Sequence, residues 1–145
     1  MRTTTVSSKG QVTIPAALVR LSPAADPRCA VLLPVVAAAQ AGTGDLMIST
    51  VTVTELLTAP LRDGNREAEA AARLFMGLLC TVVPVDLAVA ERAAALRTEH
   101  GLRTPDALIC ATALGSAAVV VGNDLRWKQS GLPYVHIDDV VARSS

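Results

Sequence analysis

The stretch TPDALICATALGSAAVVVGND, residues 104–124, decides the fold of this chain of 145 residues. Pro105 suits the first turn of a helix that Thr104 is expected to cap, and Gly115 indicates where that helix ends. The valine-rich run at residues 118–121 is short and apolar, which is typical of a buried strand. A helix that leads directly into a buried strand is a building unit of α/β proteins with a parallel sheet.

Helices and short apolar strands alternate along the rest of the chain as well. We expect Pro60 to end one helix, Asp86 to cap a later one, and Gly101 to close it. Strands are predicted at residues 11–14, 46–48, 81–85 and 134–137. Helices are predicted at residues 16–21, 28–40, 51–59, 66–79, 87–100 and 138–142. The alternation predicts an α/β fold built on a parallel sheet.

The composition limits the class of protein. Aromatic residues make up 2% of the chain and hydrophobic residues 51%, so the core must consist of small aliphatic side chains. The formal net charge of zero argues against strong non-specific DNA binding by the whole chain, although it does not exclude an RNA substrate. The three cysteines form no CxxC pair, so neither a zinc site nor a disulfide framework is indicated. Without a signal peptide or a membrane-length apolar run, we expect a cytoplasmic protein with no membrane partner.

Three acidic residues follow the predicted strands at the points where ligands usually bind. Glu55 lies one turn into the helix after residues 46–48, Asp106 lies in the first turn of its helix, and Asp124 follows the strand at 118–121. Because ligands bind beyond the carboxyl ends of parallel strands, these side chains can converge on one edge of the sheet. Clustered carboxylates without histidine or cysteine select Mg²⁺ or Mn²⁺. Such an ion can activate water and offset the charge that develops on a phosphodiester, so the pattern makes these residues a candidate metal site.

Each acid also has an ordinary structural interpretation, and the sequence leaves these alternatives open. Glu55 fits a solvated helix position. Asp106 fits the N-terminal turn of a helix, where the helix dipole favours an acid. Asp124 fits a simple turn. Only their joint placement favours the metal site.

Three segments around these acids resemble the successive motifs of PIN-domain proteins, and in particular VapC-like toxins of toxin–antitoxin pairs. They are VTVTELL at 51–57, LRTPDALI at 102–109 and VGND at 121–124, and the resemblance extends from about residue 17 to residue 141. It implies a three-layer fold with helices on both faces of the sheet. It also implies a Mg²⁺-dependent (or Mn²⁺-dependent) endoribonuclease with four acids at the metal, an RNA substrate, a cognate antitoxin and a homodimer.

The resemblance assigns roles to individual residues. Glu55, Asp106 and Asp124 correspond to the second, third and fourth acids, which are both catalytic and metal-binding. Asn123 and Thr104 correspond to supporting residues. Two arginines are candidates for contact with the RNA backbone: Arg103 and Arg126.

The first acid of the family pattern is missing. The residues before the helix at 17–21 place Ile14 where an aspartate is expected. The preceding segment, TTVSSKGQVTIP at 4–15, resembles the first strand and turn of AbrB/MazE-like antitoxins, which bind DNA. We therefore interpret the chain as a hybrid, with a partial AbrB-like segment at 1–15 and a PIN-like domain at 11–145. Residues 11–14 are extended and apolar enough to serve as the central strand.

Three functions remain open at this stage. The first is an active endoribonuclease that uses the three remaining acids, impaired by Ile14. The second is a catalytically inactive PIN-fold module that pairs with an antitoxin or a toxin. The third is a DNA-binding regulator working through residues 1–15. It is the weakest, because this segment carries only Arg2 and Lys9 as basic residues.

Overall fold

In the part of the chain that the structure describes, five short strands form one parallel sheet. The computed structural model describes residues 11–13, 37, 41, 45–122, 124–136 and 138–139. The strands are β1 (Gln11–Thr13), β2 (Asp45–Ser49), β3 (Cys80–Val83), β4 (Val119–Gly122) and β5 (Tyr134–His136). Their order in the sheet is β3-β2-β1-β4-β5, and every neighbouring pair is parallel.

Four helices of the described chain connect and cover these strands. They are α1 (Thr50–Arg62), α2 (Arg66–Leu79), α3 (Leu87–His100) and α4 (Thr104–Gly115). A 3₁₀ helix, Leu125–Trp127, follows β4. None of the described helices combines the length and apolar character that crossing a bilayer requires.

Apolar side chains fill both faces of the sheet. Met47 of β2 and Val120 of β4 pack with α3 and α4 in one cluster. Ile48, the residue after Met47, packs instead with Leu56 of α1 and Met76 of α2. Successive side chains of a strand point to opposite faces, so the two clusters lie on opposite sides of the sheet. The predicted three-layer α/β architecture is therefore confirmed.

The central position of β1 is also confirmed. Val12 pairs with Leu46 of β2 on one side and with Val119 of β4 on the other. The extended segment before Ile14 thus joins the two halves of the sheet, as the sequence predicts. Ile14 and most of the AbrB-like segment lie outside the described residues, as do the predicted helices at 16–21 and, apart from residue 37, at 28–40.

The caps of α3 follow the sequence prediction closely. The side chain of Asp86 accepts a hydrogen bond from the backbone N–H of Val89 at 2.9 Å. At the other end, Gly101 adopts φ +68° and donates its N–H to the carbonyl of Arg97. That left-handed conformation favours glycine, because other residues meet a steric penalty there.

Two predicted helix limits are wrong. Pro60 does not end α1, which continues to Arg62. Proline removes one helical hydrogen bond, but the N–H groups of Asp63 and Asn65 donate to the carbonyls of Ala59 and Pro60 and complete the last turn. Thr104 is the first residue of α4 and not its cap; Arg103 holds the cap position, without a side-chain cap hydrogen bond.

Candidate active site at the carboxyl edge of the sheet

Asp106 lies in the first turn of α4, where its side chain is 15% exposed. The Nε of Arg103, three residues earlier, donates to Asp106 Oδ2 at 3.3 Å. Cys110, four residues later in α4, is fully buried. Its burial, together with the nearby charge of Asp106, raises the pKa of this thiol to about 12. Cys110 is therefore a packing residue and not a nucleophile.

Asp124 lies just beyond β4 and caps the 3₁₀ helix. Its Oδ1 accepts the backbone N–H of Arg126 at 2.9 Å. The guanidinium of Arg126 also donates to both carboxylate oxygens, with Nη2 to Oδ2 at 2.6 Å and Nε to Oδ1 at 3.0 Å. This hydrogen bonding to Arg126 is the main reason that the pKa of Asp124 lies below its usual value.

The two acid–arginine pairs are neighbours. The charge of Arg103 also lowers the pKa of Asp124, and the charge of Asp106 also raises that of Arg126. Two of the three predicted acids, from α4 and from the end of β4, are therefore brought to the same edge of the sheet. The two arginines predicted to contact RNA lie there with them, and their contact with RNA stays a prediction.

Glu55, the third predicted acid, is a partly buried residue of α1. Within the described parts of the chain, no group of three or more histidine, cysteine, aspartate or glutamate side chains is arranged to hold a metal ion. Asn123 lies outside the described residues, and Thr104 is exposed at the start of α4.

The chemistry of the donors nevertheless fits a hard divalent cation. Asp106 and Asp124 offer only carboxylate oxygens, which Mg²⁺ and Mn²⁺ prefer. In the structure their negative charge is offset by ion pairs with Arg103 and Arg126. Both arginine side chains are 68% exposed, so each can adopt a different rotamer in solvent without disturbing the packed core. Arg103 contacts only Oδ2 of Asp106, whereas Arg126 contacts both oxygens of Asp124, so an ion at Asp124 would have to compete with Arg126.

Sequence reasoning missed one residue at this edge, Tyr134. Its hydroxyl oxygen accepts the backbone N–H of Asp124 at 3.0 Å. The tyrosine comes from β5, ten residues along the chain, and no spacing rule connects the two residues. Knowledge that β4 and β5 are neighbours is the signal that would have found the contact.

Comparisons with known proteins agree with this architecture. No curated protein matches the chain. Among solved structures, a toxin–antitoxin complex from Klebsiella pneumoniae is 19% identical, with a TM-score of 0.70, over 87% of this chain and 97% of the other. VapBC-1 from nontypeable Haemophilus influenzae is 15% identical, with a TM-score of 0.69, over 88% and 98%. VapBC2 from Rickettsia felis, bound to a DNA fragment from its promoter, is 14% identical, with a TM-score of 0.68, over 87% and 96%.

At these identities the structural likeness shows the fold alone. The sequence evidence is independent of it: the family model described as "PIN domain" matches residues 17–131. This range begins after the central strand β1 and covers α1 to α4. It includes the two ion pairs of the candidate site, Arg103–Asp106 and Arg126–Asp124. Since the match includes well over half of its residues, the chain belongs to the PIN domain family.

Proposed function

We propose that the chain is a Mg²⁺-dependent or Mn²⁺-dependent endoribonuclease, the toxin of a type II toxin–antitoxin pair, weakened by the loss of an acid at Ile14. One observation carries the proposal. Asp106 at the start of α4 and Asp124 just past β4 both lie at the carboxyl edge of a PIN-family sheet, and the charge of Arg103, the ion-pair partner of Asp106, also lowers the pKa of Asp124. Ligands of open parallel sheets bind at this edge.

Glu55, Asp106 and Asp124 are the residues that would hold the ion. When bound, it would supply positive charge to the scissile phosphate and lower the pKa of a water molecule. The carboxylate oxygens of these residues would orient the ion. Guanidinium groups of Arg103 and Arg126 released from the carboxylates would be able to hold RNA phosphate oxygens, to which arginine donates two parallel hydrogen bonds. Asn123 and Thr104 remain proposed supporting residues.

The proposed partners are RNA, a cognate antitoxin and a second copy of the chain, in the cytoplasm. The structural neighbours described by name are toxin–antitoxin or VapBC complexes, which supports an antitoxin partner. Leu74 and Leu78 of α2 are 61% and 74% exposed. Exposed apolar side chains of this size favour a surface that another protein covers.

A second candidate function is a catalytically inactive PIN module that pairs with an antitoxin or an intact toxin. Its specific support is the charge balance of the site, since Arg103 and Arg126 each neutralise one carboxylate without a metal. The missing acid at Ile14 supports it further. The DNA-binding hypothesis has less support, because Gln11–Thr13, within the AbrB-like segment, form the centre of the sheet.

Cleavage of a mixed RNA pool with Mg²⁺ or Mn²⁺ tests the proposal, comparing the native chain with Ile14→Asp and Asp106→Asn. If the native chain cleaves RNA and Asp106→Asn does not, three acids suffice for catalysis. If only Ile14→Asp cleaves, the site lacks only its first acid and the natural protein is the binding module. If Asp106→Asn cleaves as well as the native chain, the activity does not arise at this edge.

A further inference from the structure

The turn that carries Asp124 is tied to a second strand of the sheet by Tyr134. The backbone N–H of Asp124 donates to Tyr134 Oη at 3.0 Å. Tyr134 begins β5, and its backbone is in register with Val120 of β4. The hydrogen bond therefore links the chain just past the end of β4 to the neighbouring strand.

The ring of Tyr134 packs closely on both sides of this turn. A Cβ atom added to Gly122, the last residue of β4, would lie 2.7 Å from Tyr134 Cε2 and 2.9 Å from its Oη. On the other side of Asp124, the buried Trp127 lies with its ring centroid 5.6 Å from that of Tyr134. Only a residue without a side chain at position 122 leaves space for the tyrosine in this place.

Among the described residues, the hydrogen bonds that the Asp124 carboxylate accepts are local. Its carboxylate is held by the backbone and the guanidinium of Arg126, two residues later. Because Arg126 belongs to the same turn, this contact moves with Asp124 and does not fix the turn relative to the sheet. The hydrogen bond to Tyr134 does fix the turn relative to the sheet, because Tyr134 belongs to the neighbouring strand β5.

We propose that Tyr134 is a positioning residue, which holds the turn so that the Asp124 carboxylate stays at the edge of the sheet beside Asp106. This inference rests on the proposed function for its role in metal binding. The phenol acts as a neutral group: burial raises its pKa to about 12. It therefore adds no charge next to the acids at physiological pH.

Tyr134→Phe tests the inference, because it removes the hydroxyl and keeps the ring. The readout that needs no metal is hydrogen exchange of the Asp124 amide by NMR. We expect exchange to become roughly threefold to tenfold faster, as the loss of one hydrogen bond predicts. Thr98→Val is the matched control. It deletes an exposed hydroxyl that donates to the carbonyl of Ala94, and it should leave the exchange of the Asp124 amide unchanged. Unchanged exchange in Tyr134→Phe overturns the inference.

Titration with Mn²⁺ alone, on the native chain, Tyr134→Phe and Asp124→Asn, then separates this inference from the proposed function. Weaker binding by both variants, measured at a temperature where Tyr134→Phe is fully folded, supports positioning. Weaker binding by Asp124→Asn alone overturns it and leaves the proposed function intact. If Asp124→Asn binds as the native chain does, the proposed metal site fails, and the exchange result alone decides whether Tyr134 holds the turn.

Discussion

Gly122→Ala is the substitution whose effect follows most directly from the geometry. The glycine ends β4, and its backbone does not require a positive φ, so alanine meets no backbone strain there. The obstacle is the ring of Tyr134. The new methyl group would lie 2.7 Å from Cε2, 2.9 Å from Oη and 3.3 Å from Cζ, whereas carbon atoms attract each other best at about 3.5–4.0 Å. Either the ring or the end of the strand must move.

Overpacking of this kind costs roughly 1–3 kcal/mol in the free energy of unfolding. In a domain of about this size, each kcal/mol corresponds to roughly 2–4 °C in Tm. We therefore expect the Tm of Gly122→Ala to fall by about 2–12 °C, measured by circular dichroism. The loss arises at the contact with Tyr134, so it should come with a changed chemical shift of the Asp124 amide.

Two other glycines provide matched controls for this experiment. Gly77 lies within α2 with nothing within 4 Å of an added Cβ. Gly77→Ala should therefore raise stability by roughly 0.5–1 kcal/mol, because alanine favours the helix. At Gly115 an added Cβ would lie 2.7 Å from Nη1 at the end of the Arg92 side chain, so a small cost is expected there, because Arg92 can move only by giving up its hydrogen bond to the carbonyl of Ala111. An equal gain in stability from Gly122→Ala and Gly77→Ala would refute the close approach of Tyr134.

Three further predictions concern single contacts. Arg126→Ala should raise the pKa of Asp124 towards its usual value, which NMR titration of the carboxyl carbon would measure. A lowered pKa in the folded state stabilises the protein above the unfolded-state pKa, and this contribution is lost as the pH falls through the folded-state pKa; stability of the variant should thus fall less on acidification. Asp86→Ala removes the acceptor of the Val89 N–H and should cost about 0.5–2 kcal/mol in urea unfolding, and no loss would show that the cap is dispensable. Cys110, with its pKa raised to about 12, should resist iodoacetamide at pH 8 until the protein unfolds, as mass spectrometry of its peptide would show; rapid labelling of the folded chain would contradict its burial.

The sequence predicts the strands and helices correctly where the local sequence signals agree with the burial of the residues. The extended run at 11–14 predicted β1, and the cap at Asp86 with the glycine at 101 predicted α3. The prediction at Pro60 failed, because a local rule about one lost hydrogen bond was outweighed by the packing of the helix. Thr52 and Leu56, which precede Pro60 in α1, are buried and anchor the helix against the rest of the protein.

Only part of the candidate site could be predicted from the sequence. The sequence places Asp106 in the first turn of a helix and Asp124 just after a strand, and the structure has both residues in these positions. The pairing of Arg103 with Asp106 was also accessible, because residues three apart on a helix meet, but the arginine was assigned to RNA instead. The contact of Tyr134 was not accessible, since it depends on which strands are neighbours in the sheet. That information resides in long-range packing and not in any local pattern.

The sheet order has a consequence for how the chain assembles. β1 is synthesised before the four other strands of the described sheet, yet it has both β2 and β4 as neighbours, and Val12 pairs with Val119, which lies more than 100 residues later in the chain. Contacts between residues so distant in sequence close large loops, and they slow folding accordingly. Until β4 has left the ribosome, one side of β1 exposes unpaired backbone groups, which other chains can pair with. During synthesis β1 is therefore open to mispairing on the side that β4 later covers.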